Sequence, residues 1–283
     1  MKRKDFIKNS LLGIAGISLV SKAKANAPKA AEQNIGYNHL PNNEIKTTNS
    51  VLHKAETRGM ADHGWLKARH SFSFANYKNP ERMNFGVLRV LNDDIISPGK
   101  GFGMHPHKDM EIITIPLSGD LEHQDNMGNK AVIHEGEVQV MSAGTGIYHS
   151  EYNARKDKEV KLLQIWLFPK KRSVVPRYDQ IVLSGNNKNQ WQQILSPSPD
   201  DAGVWIHQDA WFHLSNLEQG KQLDYNLKRP GNGMYFFVIS GTLKINGQEV
   251  KDRDALGLWN TEKAKIESTS NARILLMEVP MLS

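Results

Sequence analysis

From residue 51 onward the chain is a succession of short β-branched and aromatic runs cut by glycine turns, and this pattern leaves little room for helix. FGVLRVL at 85 to 91, EIITIPL at 111 to 117, EVQVM at 137 to 141 and VKLLQIWLF at 160 to 168 have strand length and strand composition. SPGKG (97 to 101), DNMGN (125 to 129) and SAGTG (142 to 146) supply the turns. Many short strands between Gly-rich turns predict an all-β sandwich or barrel.

The pattern also repeats. After a Pro- and Asn-rich break near 185 to 202 come VWIHQD, MYFFVIS, TLKING, ALGLW and ARILLMEV. ITIPLSGDLEHQDN, EGEVQVMSAG and LLQIWLFP are matched in order by FFVISGTLKINGQEV, DRDALGLWN and ILLMEVP, with Ser-Gly pairs at 118–119 and 240–241. Such self-similarity predicts a duplicated β-barrel unit, one copy over 51 to 180 and the other over 181 to 283.

The first fifty residues differ from the rest. Residues 1 to 25 open with Lys2, Arg3, Lys4 and Lys8, continue with an apolar stretch from Leu11 to Val20 and end in small residues at Ala23 and Ala25. That is the layout of a secretory signal peptide cleaved after Ala25, with an apolar run too short to span a bilayer. Arg3-Lys4-Asp5-Phe6-Ile7-Lys8 is one substitution from the twin-arginine export motif. Residues 26 to 50 are polar and aperiodic, the composition of a linker. The expectation is an exported, periplasmic protein with no membrane segment in its mature form.

Charge and cysteine usage narrow the function classes. The whole chain carries +6, of which residues 1 to 25 hold six Lys or Arg and one Asp, a net of +5, so +1 remains for the body. A nearly neutral body lacks the electrostatic footprint of a nucleic-acid binder. The absence of cysteine excludes disulfides, thiolate metal sites and cysteine nucleophiles together.

The candidate chemistry lies in two histidine-bearing strands. In GFGMHPHKDME (101 to 111), His105 and His107 stand at i and i+2, so on a strand they share a face and can share an ion. GIYHSEYN (146 to 153) repeats the spacing with His149 and Glu151. Opposed inside a barrel, the two strands would gather three imidazoles and a carboxylate, close to the arrangement of non-haem iron oxygenases. The other histidines lack partners at such spacing. His123 reads either as a strand-end residue with a satisfied hydrogen bond or as part of a pocket mouth. The alternating aromatics of SFSFANY (71 to 77) read as core.

These motifs carry a family resemblance. GFGMHPHKDMEIITIPLSG is similar to the first cupin motif, and GEVQVMSAGTGIYHSEYN to the second, with its closing His149 and Asn153. Together with EHQDNMGN and HGWLKARHSFSFANY they resemble the pirin family of bicupins, above all its bacterial quercetinase-like members, over residues 51 to 283 and most strongly over 58 to 180. The resemblance implies two tandem cupin barrels of jelly-roll type, packed as a bicupin, with a metal-binding N-terminal domain.

It further implies that His105, His107, His149 and Glu151 hold one divalent metal, Fe(II) first, with Cu, Mn, Ni, Co or Zn also compatible. In general cupins the residue at Glu111 is a ligand. The pirin pattern uses Glu151 instead and leaves Glu111, like His123 and Asn153, behind the ligands or in a structural role. The second copy has Leu227 and Arg229 where the histidine pair would fall, and so no site.

The function implied is a monomeric dioxygenase that opens flavonol-type phenolic substrates with O2, with Glu151 as ligand and proton acceptor. The alternatives are a metal-bearing binding or redox-sensing module and a non-redox cupin such as a sugar isomerase.

Overall fold

The computed structural model describes residues 48–282. The expected signal segment (1 to 25), and all of the expected linker before residue 48, lie outside the described residues. Among the described residues there is no α-helix, only a 3-10 turn at Ala55–Thr57.

The first half comprises β1 (Asn49–His53), β2 (Gly59–Asp62), β3 (Leu66–His70), β4 (Leu88–Ile96), β5 (Gly101–His107), β6 (Glu111–Ser118), β7 (Asp120–Asp125), β8 (Lys130–His134), β9 (Glu137–Ser142), β10 (Ile147–Asn153), β11 (Val160–Leu167) and β12 (Arg177–Val182). The second comprises β13 (Gln192–Ser196), β14 (Val204–Trp205), β15 (Trp211–Leu217), β16 (Gln222–Asn226), β17 (Asn232–Ser240), β18 (Leu243–Ile245), β19 (Gln248–Val250), β20 (Ala255–Trp259), β21 (Lys263–Ser268) and β22 (Ala272–Pro280).

Each half sets a seven-stranded sheet against a four-stranded one. In the first the orders are β12-β9-β6-β11-β4-β3-β2 and β5-β10-β7-β8; in the second they are β1-β20-β17-β22-β15-β13-β14 and β16-β21-β18-β19. Two sandwiches with the same crossover pattern are the duplicated jelly roll that the repeated segments predict. The first strand departs from the expected boundary. β1 pairs with β20, from Asn49 opposite Trp259 to His53 opposite Ala255, and so belongs to the second half's sheet. The strand also starts two residues before the expected fold boundary at Val51.

The two large sheets pack face to face. Ile113, Ile115, Leu163 and Ile165 from the first meet Phe212, Tyr235, Phe237, Leu275 and Met277 from the second in one apolar cluster. Strands covered on both faces need continuous apolar runs, and in EIITIPL every side chain is buried. Polar contacts edge this junction: His53 Nδ1 lies 2.8 Å from the Tyr235 hydroxyl, and Arg58 and Arg253 both reach Asp93.

The interiors of the two barrels differ. The second is filled by one apolar cluster that includes Phe236, Leu243, Leu256, Ile266 and Ile274. In the first, the apolar side chains form two separate clusters, Leu66, Ala68, Ile96, Leu121 and Leu162 in one and Met110, Ile112, Met141 and Ile147 in the other. Polar side chains occupy the space between them.

Candidate metal centre

The small sheet of the first barrel carries both histidine strands. β5 and β10 run antiparallel, with His149 opposite His105 and Ile147 opposite His107. Beyond this point the register slips, so that Glu151 faces Phe102. Three residues of β5 are thereby matched to two of β10, a bulge that lets Phe102 and His105 both turn inward although they are an odd number apart. Gly101 is required where the strands approach closely: a Cβ there would stand 2.1 Å from the Glu151 carbonyl oxygen.

The three rings converge. Ring centres are 4.4 Å apart for His105 and His149, and 4.9 Å for His107 with either. One nitrogen from each of the three lies within 4.8 Å of the others. His105 Nδ1 is 2.8 Å from the Gly103 carbonyl. A carbonyl only accepts, so this nitrogen carries the proton and Nε2 keeps its lone pair. The Nε2 atoms of His107 and His149 are buried and have no hydrogen-bond partner.

Burial favours the neutral rings. It lowers His107, helped by His105, to a pKa of about 3. It holds His149 well below the usual histidine range, reinforced by His105, His107 and His123, and lowers His105 against the pull of the Gly103 carbonyl.

Glu151 lies beside this cluster. Its carboxylate groups with His149 and His123, again within 4.8 Å, and it faces the same cavity as His105 and His107. Burial raises its carboxyl to a pKa of about 7 against hydrogen bonds from Gln164 and Thr114. Gln164 Nε2 stands 3.5 Å from Glu151 Oε1, while Thr114 Oγ donates to Gln164 Oε1 at 3.0 Å.

The cavity opens between the histidines and the inner face of the large sheet. Phe74, Phe102 and Trp166 are among its walls, with Trp166 edge-on to His107 at 4.9 Å. Its floor is polar: Asn92, whose Oδ1 meets His70 Nδ1 at 2.8 Å, Gln164, and Asp94. Asp94 Oδ1 is buried without a partner, and burial, with the charges of Asp93 and Glu151, pushes this carboxyl well up.

The residues expected behind the ligands separate in the structure. His123 is fully buried on β7, its Nδ1 3.4 Å from His149 Nδ1. Asn153 is structural, its amide donating to the carbonyls of Ile96 and Lys158. Glu111 does not stand behind the ligands at all. On β6, Ile112 and Thr114 face the barrel interior, so alternation turns Glu111 with Ile113 and Ile115 toward the second half. There its Oε2 accepts from Ser142 Oγ at 2.7 Å, and the His207 backbone helps to hold it.

SFSFANY likewise divides: Phe72 is core as expected, but Phe74 reaches the cavity. Asp94, Gln164 and Trp166 were not foreseen. The Asp93-Asp94 pair held a usable signal, because adjacent residues of one strand point to opposite faces and one of two acids must point inward.

A divalent cation fits this cluster. Three neutral imidazoles present lone pairs to one point, two of them from buried atoms that nothing else satisfies, and a carboxyl adjoins them. In the second half Leu227 packs on the apolar cluster and Arg229 pairs with Asp209, so neither position offers a ligand.

Comparison with known proteins agrees with this architecture. The Pirin family model matches residues 51–167, and the model described as the quercetinase C-terminal cupin domain matches residues 193–279. The chain belongs to the pirin family. This pirin is 42% identical over 229 residues to the quercetin 2,3-dioxygenase of Escherichia coli K12, covering 81% of this chain and 98% of that one. It is 40% identical over 222 residues to a pirin-like protein of Caulobacter vibrioides, covering 78% and 95% of the two chains. The crystal structure of the bacterial pirin YhhW of Escherichia coli in complex with nickel(II) superposes with a TM-score of 0.79 at 41% identity, over 83% of this pirin and 100% of that chain.

Proposed function

We propose that this pirin is a metal-dependent dioxygenase that opens the ring of flavonol-type substrates with O2 and releases carbon monoxide. One observation carries the reading: three neutral histidines cluster, two with unsatisfied buried Nε2 atoms, and two of the three, His105 and His107, line an aromatic-walled cavity that also holds the buried carboxyl of Glu151. The relative named quercetin 2,3-dioxygenase supports the substrate class.

His105, His107, His149 and Glu151 would hold the ion, a first-row divalent metal with iron(II) as the leading candidate. When bound, it lowers the pKa of a ligating hydroxyl and supplies redox chemistry. The chain's own groups do the rest. Phe74, Phe102 and Trp166 present apolar surface to a planar ring system and exclude water. Glu151 would take the proton from the substrate hydroxyl at the carboxylate oxygen that Gln164 does not hold. Asp94 on the floor, its carboxyl pushed well up by burial, stands where it can meet a polar edge of the ring system.

The test is oxygen uptake on adding quercetin to the metal-loaded protein. Uptake is expected for wild type, is lost in His105→Ala, and falls at least tenfold in Glu151→Gln with the metal retained. Metal binding without any uptake would favour a binding or sensing module instead. We also propose that residues 1 to 25 direct export, on the strength of their basic start and apolar run. Cell fractionation and N-terminal sequencing of the mature chain test this.

A further inference from the structure

Behind His149, away from the cavity, stands a chain of buried polar groups that the reaction does not use directly. His123 and Asp125 lie on β7, which pairs with β10 so that His123 is opposite Glu151 and Asp125 opposite His149. His123 Nδ1 is 3.4 Å from His149 Nδ1, and His123 Nε2 is 3.2 Å from Asp125 Oδ2. Both side chains are fully buried, and the Tyr178 ring lies over His123 at 4.8 Å. Asp125 is itself fixed: Oδ1 accepts from the amides of Met127 and Asn129 at 2.9 and 3.0 Å, and Oδ2 accepts from Asn129 Nδ2 at 2.8 Å.

The direction of these bonds can be read from one end. The Asp125 carboxylate only accepts, so His123 Nε2 carries a proton. A neutral His123 then offers a lone pair at Nδ1. The facing Nδ1 of His149 must donate to it, which leaves the lone pair of His149 on Nε2, a buried atom with no hydrogen-bond partner on a ring whose centre is 4.4 Å from that of His105 and 4.9 Å from that of His107. Two donors or two acceptors at this contact would leave a buried polar pair opposed and unsatisfied.

We propose that Asp125 and His123 are positioning residues that lock His149 in the tautomer able to bind the metal. This inference rests on the metal-site reading above. The same contact assigns His123 outside the ligand set, because the nitrogen it directs toward the cluster is already committed to His149. Partners of this kind behind a ligating histidine are commonly worth 10- to 100-fold in metal affinity.

Asp125→Asn is the informative variant. Its carbonyl can still serve the Met127 and Asn129 backbone amides, and the Asn129 side chain can turn its own amide oxygen to the new Nδ2, so the turn survives, but the substituted side chain's amide then points a donor at His123 Nε2. His123 must move its proton to Nδ1, and His149 must place its own on Nε2. Long-range proton–nitrogen NMR correlation on the metal-free full-length protein reads these tautomers. The expected result is Nδ1–H for His149 in wild type and Nε2–H in Asp125→Asn. Nickel(II) affinity, measured by chelator competition, should weaken at least tenfold in the variant.

His123→Leu should lose affinity similarly, whereas His123→Gln, which can offer a carbonyl to His149 Nδ1–H, should recover most of it. A purely structural role would make the two His123 variants alike. Unchanged His149 tautomer and nickel affinity in Asp125→Asn would overturn the proposal. So would a direct shift of the His123 ring nitrogens into the metal-bound range on adding zinc(II). If the wild type binds no nickel, the metal reading fails, but the tautomer of His149 still decides this one.

Discussion

Replacing Glu111 with Gln separates two accounts of the first barrel by stability and by metal affinity at once. In the general cupin pattern this position is a ligand; here it is 1% exposed, faces the other half and has one carboxylate oxygen without a partner. Burial lifts its pKa from 4.5 to about 7, against hydrogen bonds from Ser142 and the His207 backbone and the charge of Arg177. The folded protein therefore keeps this proton up to about pH 7, while the unfolded chain releases it near 4.5.

In that window the folded state binds more protons, so the group's contribution to stability falls as pH rises from about 4.5 to about 7 and levels off above. At roughly 1.4 kcal/mol per pH unit, the full loss is ~3 kcal/mol. Glutamine cannot ionise. Relative to wild type, Glu111→Gln should gain ~3 kcal/mol between pH 4.5 and pH 8, read as the difference in urea unfolding free energies. Changes common to both proteins, such as the titration of Glu151 and Asp94, cancel in that difference. Nickel affinity should stay within twofold of wild type. Parallel stability profiles would refute the burial argument, and loss of nickel would return Glu111 to the ligand set.

Other perturbations probe the scaffold and the cavity. Gly101→Ala forces a Cβ against the Glu151 carbonyl, a backbone contact that no rotamer relieves, and should cost about 1 to 3 kcal/mol of stability together with much of the metal affinity. Unchanged thermal melting would contradict the close approach of β5 and β10. Trp166→Ala removes the aromatic edge packed on His107 and should weaken flavonol binding about tenfold, read by fluorescence titration, while nickel stays bound. Equal flavonol affinity would place the substrate elsewhere.

Much of this arrangement was legible because it follows from period-two alternation. His105 with His107, and His149 with Glu151, share a face at the spacing any strand imposes, and the repeated order of strands announced the duplicated barrel. What stayed hidden depends on pairing between distant segments. That β1 crosses to the second half's sheet is a choice between two edges, which NSVLH does not record. The bulge opposite His149 and Glu151 shifts the parity of β5, so Phe102 faces inward although simple alternation from His105 would turn it out. Glu111 shows the converse: in a run buried on both faces, composition cannot say which face meets the cavity and which meets the other half. The family pattern puts His123 behind the ligands, where it stands, but its own spacing reads equally as a strand end, because its partners, His149 and Asp125, are fixed by the β7–β10 register.

The central claim is that the His105, His107 and His149 cluster holds one divalent ion without which flavonol ring opening does not occur. Its most direct measurement is a titration of metal-depleted protein with iron(II) under air and quercetin, following carbon monoxide release. The account predicts release that rises with added metal to a plateau at one ion per chain, and none at any metal level in His107→Ala. Equal carbon monoxide release from the metal-depleted protein, or from His107→Ala, would contradict it.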